Sequence, residues 1–210
     1  MNEYLSKHRW DAPDFKDPGM YDTVLTERGK RGARDAVYQA WGLNPAPEVL
    51  VVSPLTRALQ TAELAFLPHY KGPVVVEPLA RERVWHASDV GSPRAELERK
   101  FPDGRYDFSA LPDVWWHCAD PSDPRVVGLE PEDAFKERVA EFRRWLAARP
   151  ESSIAIVAHW GLLYELTGGG DFANCELRTY ELVGASGRGQ QEEEPVMKER
   201  VFNPLSALFR

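Results

Sequence analysis

The sequence predicts an α/β fold, a mostly parallel sheet with helices on both faces. Short apolar runs carry that prediction: Val49-Leu50-Val51-Val52, Val74-Val75-Val76 and the segment 153–158. Apart from Ser153 they are apolar throughout, as strands buried on both faces are. Helical patterns lie between them, the rhythm of parallel strands joined by crossovers.

In chain order, residues 1–20 are polar and turn-rich, with Pro13, Pro18 and Gly19, and read as loop. Thr26 suits an N-cap. Ala33, Ala36, Val37, Ala40 and Trp41 then recur at helical spacing, and Gly42 closes that helix. After the first strand, residues 56–66 read as helix, with Ala58, Ala62 and Ala65 as small packing positions. Gly72-Pro73 introduces the second strand. Residues 80–130 break the rhythm at Pro93, Pro102, Pro112, Pro121 and Pro124. They read as a lid-like insertion over the sheet, with at most a short helix at 94–100.

Pro131 suits the first position of a helix, with Glu130 and Glu132 favouring its dipole. Phe135, Val139, Phe142 and Leu146 share one face of it. The third strand follows, then a short helix cut off by Gly168-Gly169-Gly170. Residues 175–183 alternate and predict an edge strand. Residues 184–195 are polar and read as flexible, and 196–202 can add a strand. The whole, 1–210, reads as one domain.

Composition narrows the function classes. The chain has 210 residues, 43% of them apolar, enough for a globular core. A net charge of −7 and no basic run argue against nucleic acid or membrane as a main partner. The two cysteines, Cys118 and Cys175, form neither a zinc pattern nor a disulfide framework. A reducing compartment, the cytoplasm, is the default. No stretch approaches the about 18 apolar residues of a spanning helix.

The chemistry concentrates at strand ends. Ser53 and Pro54 follow the first strand, and Arg57 stands in the first turn of the next helix. Ligands of open α/β sheets bind beyond the carboxyl ends of the strands, and a guanidinium there suits a phosphate. His159 closes the third strand, two residues before Gly161. Ser53 lies in no Gly-x-Ser-x-Gly elbow, so it is read as a cap or a pocket wall rather than a nucleophile. His69, His86 and His117 lack metal-ligand spacing, and His8 reads as an exposed loop residue.

The stretch Ser53-Pro54-Leu55-Thr56-Arg57-Ala58-Leu59-Gln60-Thr61-Ala62 resembles the "SP-x-x-R-x-x-Q-T-A" segment of the histidine phosphatase superfamily, to which the phosphoglycerate mutases belong. Three more segments agree, in the right order. Asp22-Thr23-Val24-Leu25-Thr26-Glu27-Arg28-Gly29 is similar to the family's "D-x-x-L-T-x-x-G". Leu79-Ala80-Arg81-Glu82 is similar to its "L-x-R-E" proton-donor segment, and Val157-Ala158-His159-Trp160-Gly161 to its second-histidine segment. Asn174-Cys175-Glu176 points to the eukaryotic, phosphoglycerate mutase-like branch.

The resemblance implies phosphoryl transfer through a phosphohistidine, on a small phosphorylated substrate, without metal or cofactor. Arg57 becomes the phosphate clamp, His159 a donor to a phosphoryl oxygen, and Glu82 the general acid. Arg81, Ser53 and Trp160 line the substrate site, while Asp89 and Asn174 stand behind it. The flanking Arg81 and Arg83 argue against an acid role, because they would lower the Glu82 pKa. The family's nucleophile belongs to an Arg-His-Gly or Arg-His-Ala triplet after a first strand, and that triplet does not occur here.

The favoured expectation is that strand and nucleophile lie upstream of Met1. The alternative is an inactive member that binds a phosphorylated ligand or a protein. Trp115-Trp116, if exposed, would suit such a protein partner. In the family the first strand lies inside the sheet, and 196–202 is the one segment that could fill its place.

Overall fold

The computed structural model describes residues 15–184 and 194–200. Strand β1 (Val49–Val52) is central, with β2 (Val74–Val76) on one side and β3 (Ile154–Val157) on the other. Both neighbours run parallel to it, with Val52 opposite Val76 and Val157. All four β1 residues are wholly buried. The backbone of Asp107 extends the sheet at β2, donating to Val74 O and accepting from Val76 N.

The N-terminal helical stretch is two helices rather than one. Helix α1 (Glu27–Asp35) is capped by Thr26, whose hydroxyl accepts from Gly29 N at 3.1 Å. The chain breaks at Ala36 and resumes as α2 (Val37–Trp41). Trp41 is 67% exposed and stacks on His69, so helical spacing misplaces it in the core. Helix α3 (Thr56–Ala65) presents Ala58, Leu59, Ala62 and Ala65 to the sheet.

The sheet has a helix layer on each face. Leu50, Val52, Val76 and Val157 share one core with α3 and the excursion that holds α4 (Arg94–Lys100). Val49 and Val51 share the other with α5 (Glu132–Ala147) and α6 (Trp160–Leu166). Pro131 is the cap of α5 rather than its first helical residue. Phe135, Val139, Phe142 and Leu146 form its buried face.

The stretch 80–130 is packed into the body. Val84, Val90, Leu97, Phe101, Tyr106, Phe108 and Leu111 all join the core. Trp115 and Trp116 are 5% and 6% exposed, because each indole N–H finds a backbone acceptor, Ser92 O and Pro124 O. The two rings therefore offer no partner surface.

At the C-terminal end, only Tyr180–Val183 of the expected strand is regular, as β4. It pairs antiparallel with β5 (Val196–Glu199) in a separate two-stranded sheet. The tail strand thus pairs with β4 and does not fill a place beside β3, which among the described residues has β1 as its one neighbour. Of the polar segment, 185–193 lies outside the described residues, as do His8 and 201–210.

Close packing of the excursion depends on Gly91, where a Cβ would come within 2.0 Å of the Trp115 ring. Gly91→Ala is expected to destabilise the fold by about 1–3 kcal/mol, read from chemical denaturation midpoints.

Candidate active site

Parallel pairing brings the carboxyl ends of β1, β2 and β3 to one level. Arg57 projects from the first turn of α3, just after β1. Glu82 follows a 3-10 turn, Pro78–Ala80, that leaves β2. His159 is the cap residue of α6, two positions past β3. Glu82 Oε2 accepts from Gly161 N, two residues past His159, and the Arg57 charge acts on both Glu82 and His159.

Arg57 is aimed by two acceptors. Its Nη1 donates to Ser88 O at 2.8 Å and its Nη2 to Asp89 Oδ1 at 2.9 Å. The Asp89 carboxylate also accepts from the backbone N–H groups of Trp85 and His86. Asp89 therefore does stand behind Arg57, whose side chain keeps 22% exposure. Asn174, in contrast, is exposed and has no hydrogen bond to the cluster among the described residues.

His159 is 8% exposed, and its Nε2 lies 2.7 Å from Ser53 Oγ. Burial pushes its pKa well below 6.5, with the Arg57 and Arg138 charges adding to the effect. The ring is neutral at neutral pH. Ser53 is wholly buried and takes up His159, so it meets a ligand only through that imidazole.

The Glu82 carboxylate sits on the start of α6. It accepts from Gly161 N at 3.1 Å and Leu162 N at 3.2 Å, two donors that a helix start leaves free. A Cβ on Gly161 would lie 2.6 Å from Glu82 Oε1, so glycine is required for this approach. Burial pushes the Glu82 pKa up and Asp89 adds to it, while backbone donors and Arg57 oppose. The net direction suits a proton donor near neutral pH.

The flanking arginines do not undercut that role. Arg81 Nη2 donates to Glu130 Oε1 at 2.6 Å, and Arg83 Nε to Glu130 O at 2.9 Å. The Arg83 guanidinium also lies over the rings of Trp85 and Phe135. Arg81 is thereby committed to Glu130 rather than left free for a substrate, and its Nε has no partner among the described residues.

Glu130 and Arg138 are functional neighbours that sequence reading misses. Arg138 grips the Glu130 carboxylate through Nε at 3.0 Å and Nη2 at 2.9 Å. Its Nη1 donates to Leu79 O and Arg81 O, so it clamps the backbone that leads to Glu82. Burial works against the Glu130 charge, but the Arg138 bonds and both guanidinium charges outweigh it and hold the pKa down. The sequence offers one signal: Glu130 just ahead of the Pro131 cap and an opposite charge, Arg138, eight residues on in the helix that follows.

Asp22 is a further side chain whose role the sequence does not disclose. It is buried, accepts from Thr56 N and Thr56 Oγ1, and so caps the helix that carries Arg57. Ser92 donates to the same carboxylate at 2.6 Å. Trp160 is 56% exposed, bonded to Asp171 and packed on Tyr164. No group of three or more His, Cys, Asp or Glu among the described residues is arranged to hold a metal ion.

Two outcomes follow from these burials. Arg138→Ala leaves Glu130 a buried charge short of its main partner and is expected to cost about 3–5 kcal/mol, measured by urea denaturation. A histidine with a depressed folded pKa adds stability above its unfolded value of about 6.5, and that stability is lost as pH falls from there toward the folded value. Glu82, with a raised pKa, acts in the opposite sense. The stability difference between wild type and His159→Asn should therefore shrink as pH falls below 6.5, read from denaturation midpoints across that range.

A model of the histidine phosphatase superfamily (branch 1) matches residues 17–169. A Schizosaccharomyces pombe protein named "probable phosphatase" is 27% identical over 165 residues, covering 74% of this chain and 72% of that protein. Phosphoglycerate mutase-like protein 1 of Arabidopsis thaliana is 28% identical over 214 positions, covering 79% and 72%. Among solved structures, a mycobacterial glucosyl-3-phosphoglycerate phosphatase in complex with VO3 superposes with a TM-score of 0.54 at 20% identity, covering 90% of each chain. That last likeness speaks for the fold. The family match spans most of the chain, including both Arg57 and His159, and on that ground the chain belongs to the histidine phosphatase superfamily, branch 1.

Proposed function

We infer that Arg57, His159 and Glu82 form the phosphate-holding and proton-donating part of a phosphomonoester phosphatase that works through a phosphohistidine. The observation that carries this reading is the company Arg57 keeps. A guanidinium aimed by Asp89 shares its field with a neutral imidazole and with a carboxyl group of raised pKa, at the carboxyl edge of a parallel sheet.

In the reaction, Arg57 and His159 donate to the non-bridging oxygens. The attacking imidazole forms the N–P bond as the ester P–O bond breaks, and Glu82 gives its proton to the leaving oxygen. Water then attacks the phosphorus of the phosphohistidine, the N–P bond breaks to release phosphate and the free imidazole, and the proton of the water passes to the Glu82 carboxylate, which restores the acid. The attacking histidine is the one that the family resemblance implies, in a triplet not found in these 210 residues.

A phosphatase name among the sequence relatives supports a phosphorylated substrate, which we take to be a small molecule. The VO3-bound structural neighbour, a glucosyl-3-phosphoglycerate phosphatase, is in keeping with it. Trp160, next to His159 and exposed, is a wall of the site, and the core-packed 80–130 stretch borders it through Ser88 and Asp89, which hold Arg57. The missing triplet favours a second reading, an inactive member that binds a phosphorylated ligand or a protein.

One experiment separates the readings. Orthovanadate should bind the 210-residue chain, and Arg57→Ala should weaken it about tenfold or more, the worth of a charge-assisted hydrogen bond. Calorimetric titration reads this, and unchanged affinity removes Arg57 from the site. The same chain should turn over p-nitrophenyl phosphate little or not at all. A version preceded by a strand bearing Arg-His-Gly should be active if the phosphohistidine reading holds, and silent if the inactive one does.

A further inference from the structure

The pairing of β1 with β3 sets up an unusual partner for His159. Ser53 N donates to Val157 O at 3.0 Å, continuing the ladder one step past β1. The Ser53 hydroxyl then lies 2.7 Å from His159 Nε2. Ser53 has no solvent exposure.

A hydroxyl has one proton to give and two lone pairs to receive. Ser53 Oγ already receives a bond from Leu55 N–H at 3.3 Å. Its own proton has one acceptor among the described residues, His159 Nε2. If Nε2 carried the ring proton instead, two donors would point at Oγ and the hydroxyl proton would be left unpaired in a sealed position, which buried polar groups avoid. A histidine proton is assigned from such partners.

We propose that Ser53 is a positioning residue that holds His159 in the Nδ1–H tautomer, so that the imidazole meets a bound anion as a neutral donor. A neutral ring carries a single N–H, so the choice of nitrogen decides whether the pocket presents a donor or a lone pair. Nδ1 has no protein partner among the described residues and stays available. Burial and the Arg57 charge keep the ring neutral, which makes that choice consequential. The tautomer itself follows from the Ser53 bonds alone; its benefit to a phosphate rests on the functional reading above.

Long-range 1H–15N correlation spectra of the ligand-free 210-residue chain test the proposal, with the His159 signals assigned by their loss in His159→Asn. Wild type should show a proton-bearing Nδ1 and a lone-pair Nε2. Ser53→Ala should populate the Nε2–H form and weaken orthovanadate about tenfold, the worth of one misdirected hydrogen bond to an anion. Ser53→Thr, which keeps the hydroxyl, should restore the wild-type pattern. A wild-type Nε2–H ring, or a Ser53→Ala spectrum unchanged at His159, overturns the proposal. Should Ser53→Ala fail to fold, the wild-type spectrum alone decides it. A wild-type Nδ1–H ring that binds no vanadate supports the tautomer and removes the phosphatase reading.

Discussion

The parallel register of three short strands is the constraint on which the site depends. With Val52 opposite both Val76 and Val157, the segments that leave each strand start from one level. Arg57, Glu82 and His159 are separated by 25 and 77 positions in sequence, yet each lies within six residues of its strand's end. A slip of one residue in either pairing would send the side chains of a whole strand to the opposite face. It would also part Ser53 from His159, whose hydrogen bond bridges the ends of β1 and β3.

Charge is distributed around that edge with a division of labour. Glu130 absorbs two guanidinium groups, Arg81 and Arg138, in a nearly dry setting. Asp89 aims a third, Arg57, without enclosing it. The acidic balance of the whole chain, −7, therefore coexists with a cation placed next to a neutral imidazole. A field of this kind is useful because it is built in before any anion arrives, at no reorganisation cost. Arg138 links the two halves of the arrangement, since the same guanidinium that neutralises Glu130 holds the carbonyls of Leu79 and Arg81 ahead of Glu82.

Much of the site's architecture lies in the second layer, in capping and close packing. Asp22 ties the start of α3 to Ser92 in the excursion. Gly161 admits the Glu82 carboxylate to the start of α6. Within the excursion Trp115 packs over Gly91, and Tyr106 ties it to α3 by donating to Leu59 O. A stretch with five prolines and little regular structure thus behaves as core.

Local pattern determined the three buried strands, the helices after them and the strand-end positions of Arg57 and His159, because apolar runs and turn residues write those features within a few positions. The family resemblance supplied Glu82. The break at Ala36, the burial of Trp115 and Trp116 and the pairing of 196–199 with β4 were not legible, since each depends on partners distant in sequence. The same holds for Arg138, which looks like an ordinary helix-surface charge until the backbone of 79–83 and the Glu130 carboxylate are laid against it. Pairing, burial and the direction of a pKa shift are properties of groups brought together from remote parts of the chain, and only tertiary structure decides them.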